Sequence, residues 1–301
     1  MTILNEAYSS AKTKLKSTKL ARTLYKSIRS VIVSSEEITH LSQLIEQNQV
    51  AVLRPWLQMK SSETHHKIVH EITKQFLKEL QTIKITKPRM EQVAVSTGTV
   101  LLRQPLALLA IPSAYEEYLK ETARGHRRMV QKTDKEGYTF REFNWDDYLD
   151  DIFKINTSKE TRSGGAMSGW YLEQVKPINL SSEEQLYRKS YGVFKDGVLY
   201  AYLYMTLCGD CGVFKYAIGH ADHLKYGIMN YLISCIVREY VAHPQIKWLY
   251  YGVLPVEASG STADFRKHAG FKSYATFLDL EDDEELLRYS KSVRAKGLLS
   301  V

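Results

Sequence analysis

The second half of the chain changes hydrophobic period several times, and the order of those changes predicts its architecture. From Gly137, GYTFREF alternates apolar and polar positions as a half-buried edge strand does. NWDDYLDDIFKINTSKE then brings Trp145, Tyr148, Leu149, Ile152 and Phe153 onto one helical face, with Asn144 as its cap. YGVF and VLYAYLYMTL flank Lys195, Asp196 and Gly197, and Asp-Gly between apolar runs signals a tight hairpin. A strand over 212–219 follows, then a helix over HLKYGIMNYLISCIVREY whose stripe Ile228, Leu232, Cys235 and Ile236 is a packing face. Residues 246–253 form another strand, and STADFRKHAGF leads as a helix into the last one. Residues 191–280 therefore read strand, strand, strand, helix, strand, helix, strand. Such an order can leave a mostly apolar, backbone-lined cleft where strands 212–219 and 246–253 part.

The first half is less regular. A helix is expected over 36–48, a strand at AVLRPWLQM, a helix over 62–82, and a hairpin in which Thr97 and Gly98 join VAVS to TVLL. Ser113 is expected to cap a single helix running through AYEEYLKETARGHRRMVQKTDKEG. Its far half carries Arg124, Arg127, Arg128, Lys132 and Lys135, as the helix dipole favours. Along residues 1–35, Leu4, Ala7, Tyr8, Ala11 and Leu15, then Leu20, Leu24, Ile28 and Ile32, recur at helical spacing. The pattern predicts an α/β (α+β) protein: a basic amphipathic arm (1–35), an α/β region (36–112) and a larger α/β domain with a mixed sheet flanked by helices (113–301).

Charge changes the picture only at one end. The net charge of +7 is concentrated in residues 1–35, which hold seven basic side chains against Glu6 alone. The rest of the 301 residues carries 34 basic and 33 acidic groups and is nearly neutral. A basic amphipathic helix can lie on an anionic membrane, follow an RNA backbone, direct import into an organelle, or pack on its own protein. Nowhere do about eighteen apolar residues run together, so no spanning helix is expected. The N-terminus lacks the apolar core of a secretory signal. Cys208, Cys211 and Cys235 are too few for a disulfide framework, which points to a reducing, cytoplasmic setting. Peripheral membrane contact or organellar import through the arm are the alternatives.

Few residues announce chemistry by themselves. His66 and His70 share a helical face beside Glu71, but one pair without a third ligand reads as ordinary surface. Cys208 and Cys211 have half a zinc-knuckle spacing at a hairpin tip and read as incidental turn thiols. In TRSGGAMSGWYLEQV, Gly164 and Gly165 allow left-handed backbone. That loop, with Arg162 before it and Trp170 and Tyr171 after it, can cover a substrate or simply connect two helices. Gly219 removes a side chain where a ligand backbone could approach, and the helix that follows offers free N–H groups to an anion.

The element order over 137–280, about half the chain, resembles the GNAT superfamily of N-acyltransferases. Strand 212–219 is similar to that family's fourth strand and 246–253 to its fifth. Leu224-Lys225-Tyr226-Gly227-Ile228-Met229 matches its pyrophosphate loop, and FRKHAGF, from Phe265 to Phe271, its closing helix-to-strand signature. Three positions depart from the pattern: Leu224 stands at a polar position, Met229 at a small one, and Arg266 where many acetyltransferases have a tyrosine acid. Phe-basic-basic-x-x-Gly-Phe, with YEEYLKETARGHRRMVQKTDKEGY ahead of the first strand, looks closer to the Fem-type aminoacyl-tRNA-dependent branch.

The resemblance implies a GNAT-like sheet with splayed central strands and an acyltransferase acting by direct attack of an amine, from a small molecule or a peptide. Its donor would be an acyl-CoA, such as acetyl-CoA, against Ala217, Ile218, Gly219, Lys225, Tyr226, Gly227, Ile228, Met229 and Phe265, with Arg162, Trp170 and Tyr171 on the acceptor side and no metal. His220 and Glu257 are candidate bases and Tyr274 a candidate acid, with Asp222 and His223 behind them. An aminoacyl-tRNA donor is the alternative within the fold. A non-catalytic binding module, tethered to a membrane or nucleic acid through residues 1–35, is the alternative outside it. None of these residues specifies an oligomeric state.

Overall fold

The computed structural model describes residues 50–53, 94–96, 99–162, 165–167, 169–182, 184–208, 210–254 and 259–279. The arm 1–35 and the helices expected over 36–48 and 62–82, with His66 and His70, lie outside them. The chain divides into two compact units, one of Met1–Leu106, Val253–Glu257 and Ser273–Val301, the other of Ala107–Gly252 and Ala258–Lys272.

In the first unit, strand β1 (Val50–Leu53) is followed by β2 (Ala94–Ser96) and β3 (Thr99–Ala110). The last two pair antiparallel at the expected place, Ala94 opposite Leu101. The C-terminal strand β11 (Lys272–Asp279) runs parallel to β1, Val50 opposite Ala275.

The second unit begins with helices α1 (Tyr115–Glu121) and α2 (Arg124–Lys135). The expected single helix is therefore two, and Ser113 does not cap the first. The cap residue is Ala114, and the Ser113 hydroxyl donates to the Glu117 carboxylate at 2.9 Å. The break at Thr122 and Ala123 has a tertiary cause, because the Ala123 N–H is taken by the His268 carbonyl at 3.0 Å. Arg127 donates to the carbonyls of Leu119 and Thr122 at the end of the broken helix, and the Thr122 hydroxyl also donates to Leu119.

Among the described residues strand β4 (Thr139–Glu142) pairs with the segment Arg188–Lys195 alone and is an edge, as its alternation predicts. Asn144 accepts from the Asp146 N–H and opens a 3-10 turn (Trp145–Tyr148) into α3 (Leu149–Thr157). A small ribbon, β5 (Thr161–Arg162) with β6 (Gly165–Ala166), replaces the expected glycine loop. Gly165 is extended in it, and left-handed backbone falls at Gly169, φ 60°. Strands β7 (Arg188–Lys195), β8 (Val198–Cys208) and β9 (Cys211–Gly219) form a meander. Asp196 and Gly197, with φ of 51° and 81°, make the two-residue turn their identities demand.

Then come α4 (Ile228–Val241), β10 (Trp248–Val253) and α5 (Ser261–His268). The strands of this unit lie in the order β10, β9, β8, β7, β4, all antiparallel except β9 with β10. Tyr202 and Tyr204 join a core cluster with Trp145, Ile152 and Ile155 beneath α3. The intervening Ala201, Leu203 and Met205 are as buried, and α4 packs on β7, β8 and β9. Both faces of β8 are therefore covered, which explains its unbroken apolar run.

Candidate functional site

The parallel pair β9 and β10 is laddered over three residues only: Trp248 opposite Cys211, Leu249 opposite Gly212, and Tyr250 opposite Val213. Beyond Val213 the strands part. Two backbone irregularities sit at the fork. On β9, Tyr204 faces Tyr216 while Met205 faces Phe214, so Lys215 is an extra residue, a bulge that bends the strand. On β10, Gly252 adopts φ 74°, and the Arg266 guanidinium from α5 donates to the adjacent Tyr251 carbonyl at 2.8 Å. The rings of Phe214, Tyr251 and Phe271 pack together at the base of the fork, with centroids 5.3 to 6.0 Å apart.

The far end of β9 is held by a second arginine. Arg162 donates to the Gly219 carbonyl at 3.0 Å, to the Ile155 carbonyl at 2.8 Å and to the Ser158 hydroxyl at 2.9 Å. The Ser158 oxygen also accepts from the Ala221 N–H at 3.0 Å. Each strand at the fork thus has one carbonyl capped by a part-buried guanidinium. Burial, first among the causes, lowers the pKa of both arginines from its ordinary value.

His220 leaves β9 with its N–H bonded to the Tyr200 carbonyl at 2.7 Å, and its Nδ1 is buried without a hydrogen-bond partner among the described residues. Its ring lies edge-on to that of His223, 5.3 Å between centroids. His223 is stacked on Tyr200 at 3.8 Å, and its Nδ1 lies 2.6 Å from the Tyr138 hydroxyl. Burial first, and the neighbouring His220 second, push the His223 pKa down, so the neutral imidazole is favoured. Burial pushes the Tyr138 hydroxyl up to about 12, so it stays a proton donor.

The helix after β9 starts later than the sequence pattern suggests. Residues Ala221–Tyr226 form a 3-10 turn, Gly227 turns left-handed at φ 86°, and α4 begins at Ile228. The loop is docked on α2: Thr133 donates to the Tyr226 carbonyl at 2.7 Å and Lys132 to the Lys225 carbonyl at 3.1 Å. A methyl at Gly227 would stand 2.8 Å from the Met129 carbonyl oxygen, so glycine here serves packing as well as the turn.

Among the residues singled out from sequence, Ala217, Ile218, Gly219 and His220 follow one another from β9 past the fork. Lys225, Tyr226, Gly227, Ile228 and Met229 make the docked loop and the start of α4. Ile218 and Ile228 are buried core residues. Trp170 stacks on Tyr171 and on Tyr216 of β9, at 4.2 and 4.4 Å. Phe265 lies half-buried on α5. Tyr274 is half-buried on β11 in the other unit, and Glu257 lies outside the described residues. The Arg266 cap, the Tyr138–His223 pair and the Lys215 bulge carry no local signal; each depends on partners remote in sequence.

Beyond Val213 the main-chain groups on the β10 edge of β9 have no partner strand among the described residues. The entrance beside α4 is tighter. A Cβ on Gly219 would meet Met229 Sδ at 2.9 Å, Ile228 Cδ1 at 3.0 Å and Leu224 Cδ2 at 3.1 Å, so three apolar side chains crowd the backbone there. First-turn N–H groups of α4 remain available to a phosphate. Among the described residues, no group of three His, Cys, Asp or Glu side chains could hold a metal ion, and no helix is long and apolar enough to cross a membrane.

No protein-family model matches the sequence, and no curated protein does. Solved structures similar to this chain include FemX, 11% identical over 71% of this chain and 70% of that one, with a TM-score of 0.49. The C-terminal domain of an Agrobacterium fabrum protein designated a lysylphosphatidylglycerol synthetase is 17% identical over 64% of each chain, with a TM-score of 0.40. L-PGS from Bacillus licheniformis is 13% identical over 66% of each, with a TM-score of 0.39. The chain spans less than two-thirds of the length of the last two. The bulged strand, the parted parallel pair and the closing helix-to-strand turn give the mixed α/β sheet with parted central strands that the order of elements in the sequence predicts.

Proposed function

We propose that this protein is an N-acyltransferase that holds an acyl donor along the open edge of β9 and passes the acyl group to an amine. One observation carries the reading: the β9–β10 ladder stops after three residue pairs, with a bulge and a left-handed glycine at the fork. Main-chain groups freed there can bond an extended thioester and meet the charge that develops on its carbonyl oxygen. The attacking nitrogen forms the new C–N bond, the C–S bond breaks, and the thiol leaves with a proton. His220, at the end of β9, is the group that takes the amine proton, on Nε2, the ring nitrogen that is not buried. The Tyr138–His223 pair orients the ring beside it.

An acyl-coenzyme A is the leading donor. The crowding of Gly219 by Met229, Leu224 and Ile228 favours a second reading, in which the donor is an aminoacyl-tRNA. Native mass spectrometry of the full chain with coenzyme A thioesters and with charged tRNA tests both. Retention of a thioester with transfer to an added amine supports the first, and retention of charged tRNA alone the second. Retention of neither, or of a donor that is never turned over, removes the enzymatic reading and leaves a binding module. Raised salt should weaken a tRNA donor steeply, because its phosphate contacts release counterions.

A further inference from the structure

A cavity of about 450 Å³ lies between the end of α2, strand β4 and α4, and shares Tyr138 with the site at the end of β9. Its size falls within the range of small-molecule sites. Phe140 and Tyr231 line it with three charged side chains, Asp134, Glu239 and Arg238, and two of these, Asp134 and Arg238, are of opposite sign. They do not pair with each other. Among the described residues the Asp134 carboxylate has no ion pair and no hydrogen bond, and Arg238 has no carboxylate partner.

Both charges are placed in ways that packing alone does not require. Asp134 sits in the last turn of α2, where the helix dipole disfavours an acid. Glu239, the other acid lining the cavity, lies on its rim 3.6 Å from His243, an ion pair only when that histidine is protonated. Arg238 is held in place: its guanidinium lies 5.2 Å from the centre of the Tyr115 ring and donates to Cys235 Sγ at 3.2 Å. Its remaining N–H groups are left for something else. Burial pushes the Cys235 thiol up, so it stays protonated and serves as an acceptor rather than as a nucleophile.

We propose that this cavity is a second binding site, for a small zwitterion of amino-acid to dipeptide size, its anionic end on Arg238 and its ammonium on Asp134 between aromatic walls. Two unpaired charges of opposite sign facing one cavity are satisfied together by a single molecule that carries both.

The test uses the full chain, with no acyl donor present, in calorimetric and ligand-observed NMR titrations. L-alanine and L-alanyl-L-alanine are the zwitterions, and propionate and ethylamine the single-charge controls. Saturable binding of a zwitterion is expected, with each control at least about tenfold weaker. Asp134→Asn and Arg238→Gln should each weaken it about tenfold, the equivalent of one charged contact. Both side chains are exposed, so both variants should melt like the parent. No saturable binding of either zwitterion, equal binding of the controls, or unchanged binding by both variants overturns the proposal. Donor retention by the two variants should match the parent, so failure here and failure of the acyltransferase reading are separate results.

Discussion

The two edges of β9 have opposite fates. Towards β8 the strand is laddered along its whole length, from Cys208 opposite Cys211 to Ala201 opposite Gly219. Towards β10 it is laddered from Cys211 to Val213 and then open. The antiparallel partner absorbs the extra residue at Lys215 and resumes its register, because the bulge costs one local mismatch. The parallel partner cannot follow the bend. Its own chain turns at Gly252, and Arg266 takes the Tyr251 carbonyl that would otherwise seek a strand. An open edge in a well-packed sheet therefore needs a bend on one strand, a turn on the other and donors for the exposed carbonyls.

Removing the bend should have the largest effect. Deleting Lys215 removes the mismatch: Tyr216 still faces Tyr204 and Phe214 still faces Met205, so every side chain keeps its face while β9 loses the bend that turns it from β10. Donor retention should fall about tenfold or more. Native mass spectrometry reads it, and a deletion variant that folds and retains donor as the parent does would sink the link between bulge and fork.

Acid should loosen the helix beside the open edge. His126 of α2 lies 3.0 Å from the Asn230 amide of α4 and 3.2 Å from the Tyr118 hydroxyl. With Asn230 donating to Nδ1, a proton on that nitrogen has no acceptor. Burial, followed by the charges of His268 and Arg127, holds this histidine down at about 4. The unfolded chain binds the proton near pH 6.5, so stability is complete above that pH and falls between about 6.5 and 4. The loss is about 3 kcal/mol. Unfolding curves at pH 7 and pH 4.5 should differ accordingly, and His126→Gln should flatten the difference even if it lowers stability throughout.

The capped carbonyls rank next. Arg162→Met and Arg266→Met each strand a part-buried carbonyl and should cost about 2 kcal/mol, or about 4–8 °C in melting temperature. If the caps also set the fork, Arg162→Met should weaken donor retention more than a core change of at least equal cost such as Ile152→Ala. Equal weakening would make Arg162 a packing residue only.

Much of this was legible in the sequence where local chemistry decides structure. Asp196-Gly197 named its turn, the alternation of GYTFREF named an edge, and Gly219 and Gly227 marked the two tight approaches. The fork itself was expected from element order. What escaped is set by partners remote in sequence. Arg162 reads as a loop residue until Gly219, 57 positions on, supplies its acceptor. Tyr138 and His223 are 85 apart. Thr122 and Ala123 contain no glycine or proline, and only the His268 carbonyl explains why the helix stops there. Lys215 has no property that a bulge demands, since a bulge is a mismatch of counts between two strands rather than a residue preference.

The smallest expected effect on stability concerns Met229, which crowds Gly219 most closely. Met229 is half-buried, with its sulfur over Gly219. Met229→Ala should cost about 1 kcal/mol, below the range for a fully buried methionine because solvent already reaches part of the side chain. It also clears the approach to the first-turn N–H groups of α4. If crowding there is what disfavours a pyrophosphate, the variant should retain coenzyme A about tenfold more tightly, a gain of one unscreened phosphate contact. Leu224→Gln, which restores a polar side chain at the loop's first position, should add to it. Charged tRNA retention should stay as it was. A variant that binds coenzyme A no better than the parent would show that the thioether yields to the ligand, and the argument for a tRNA donor would lose its only structural support.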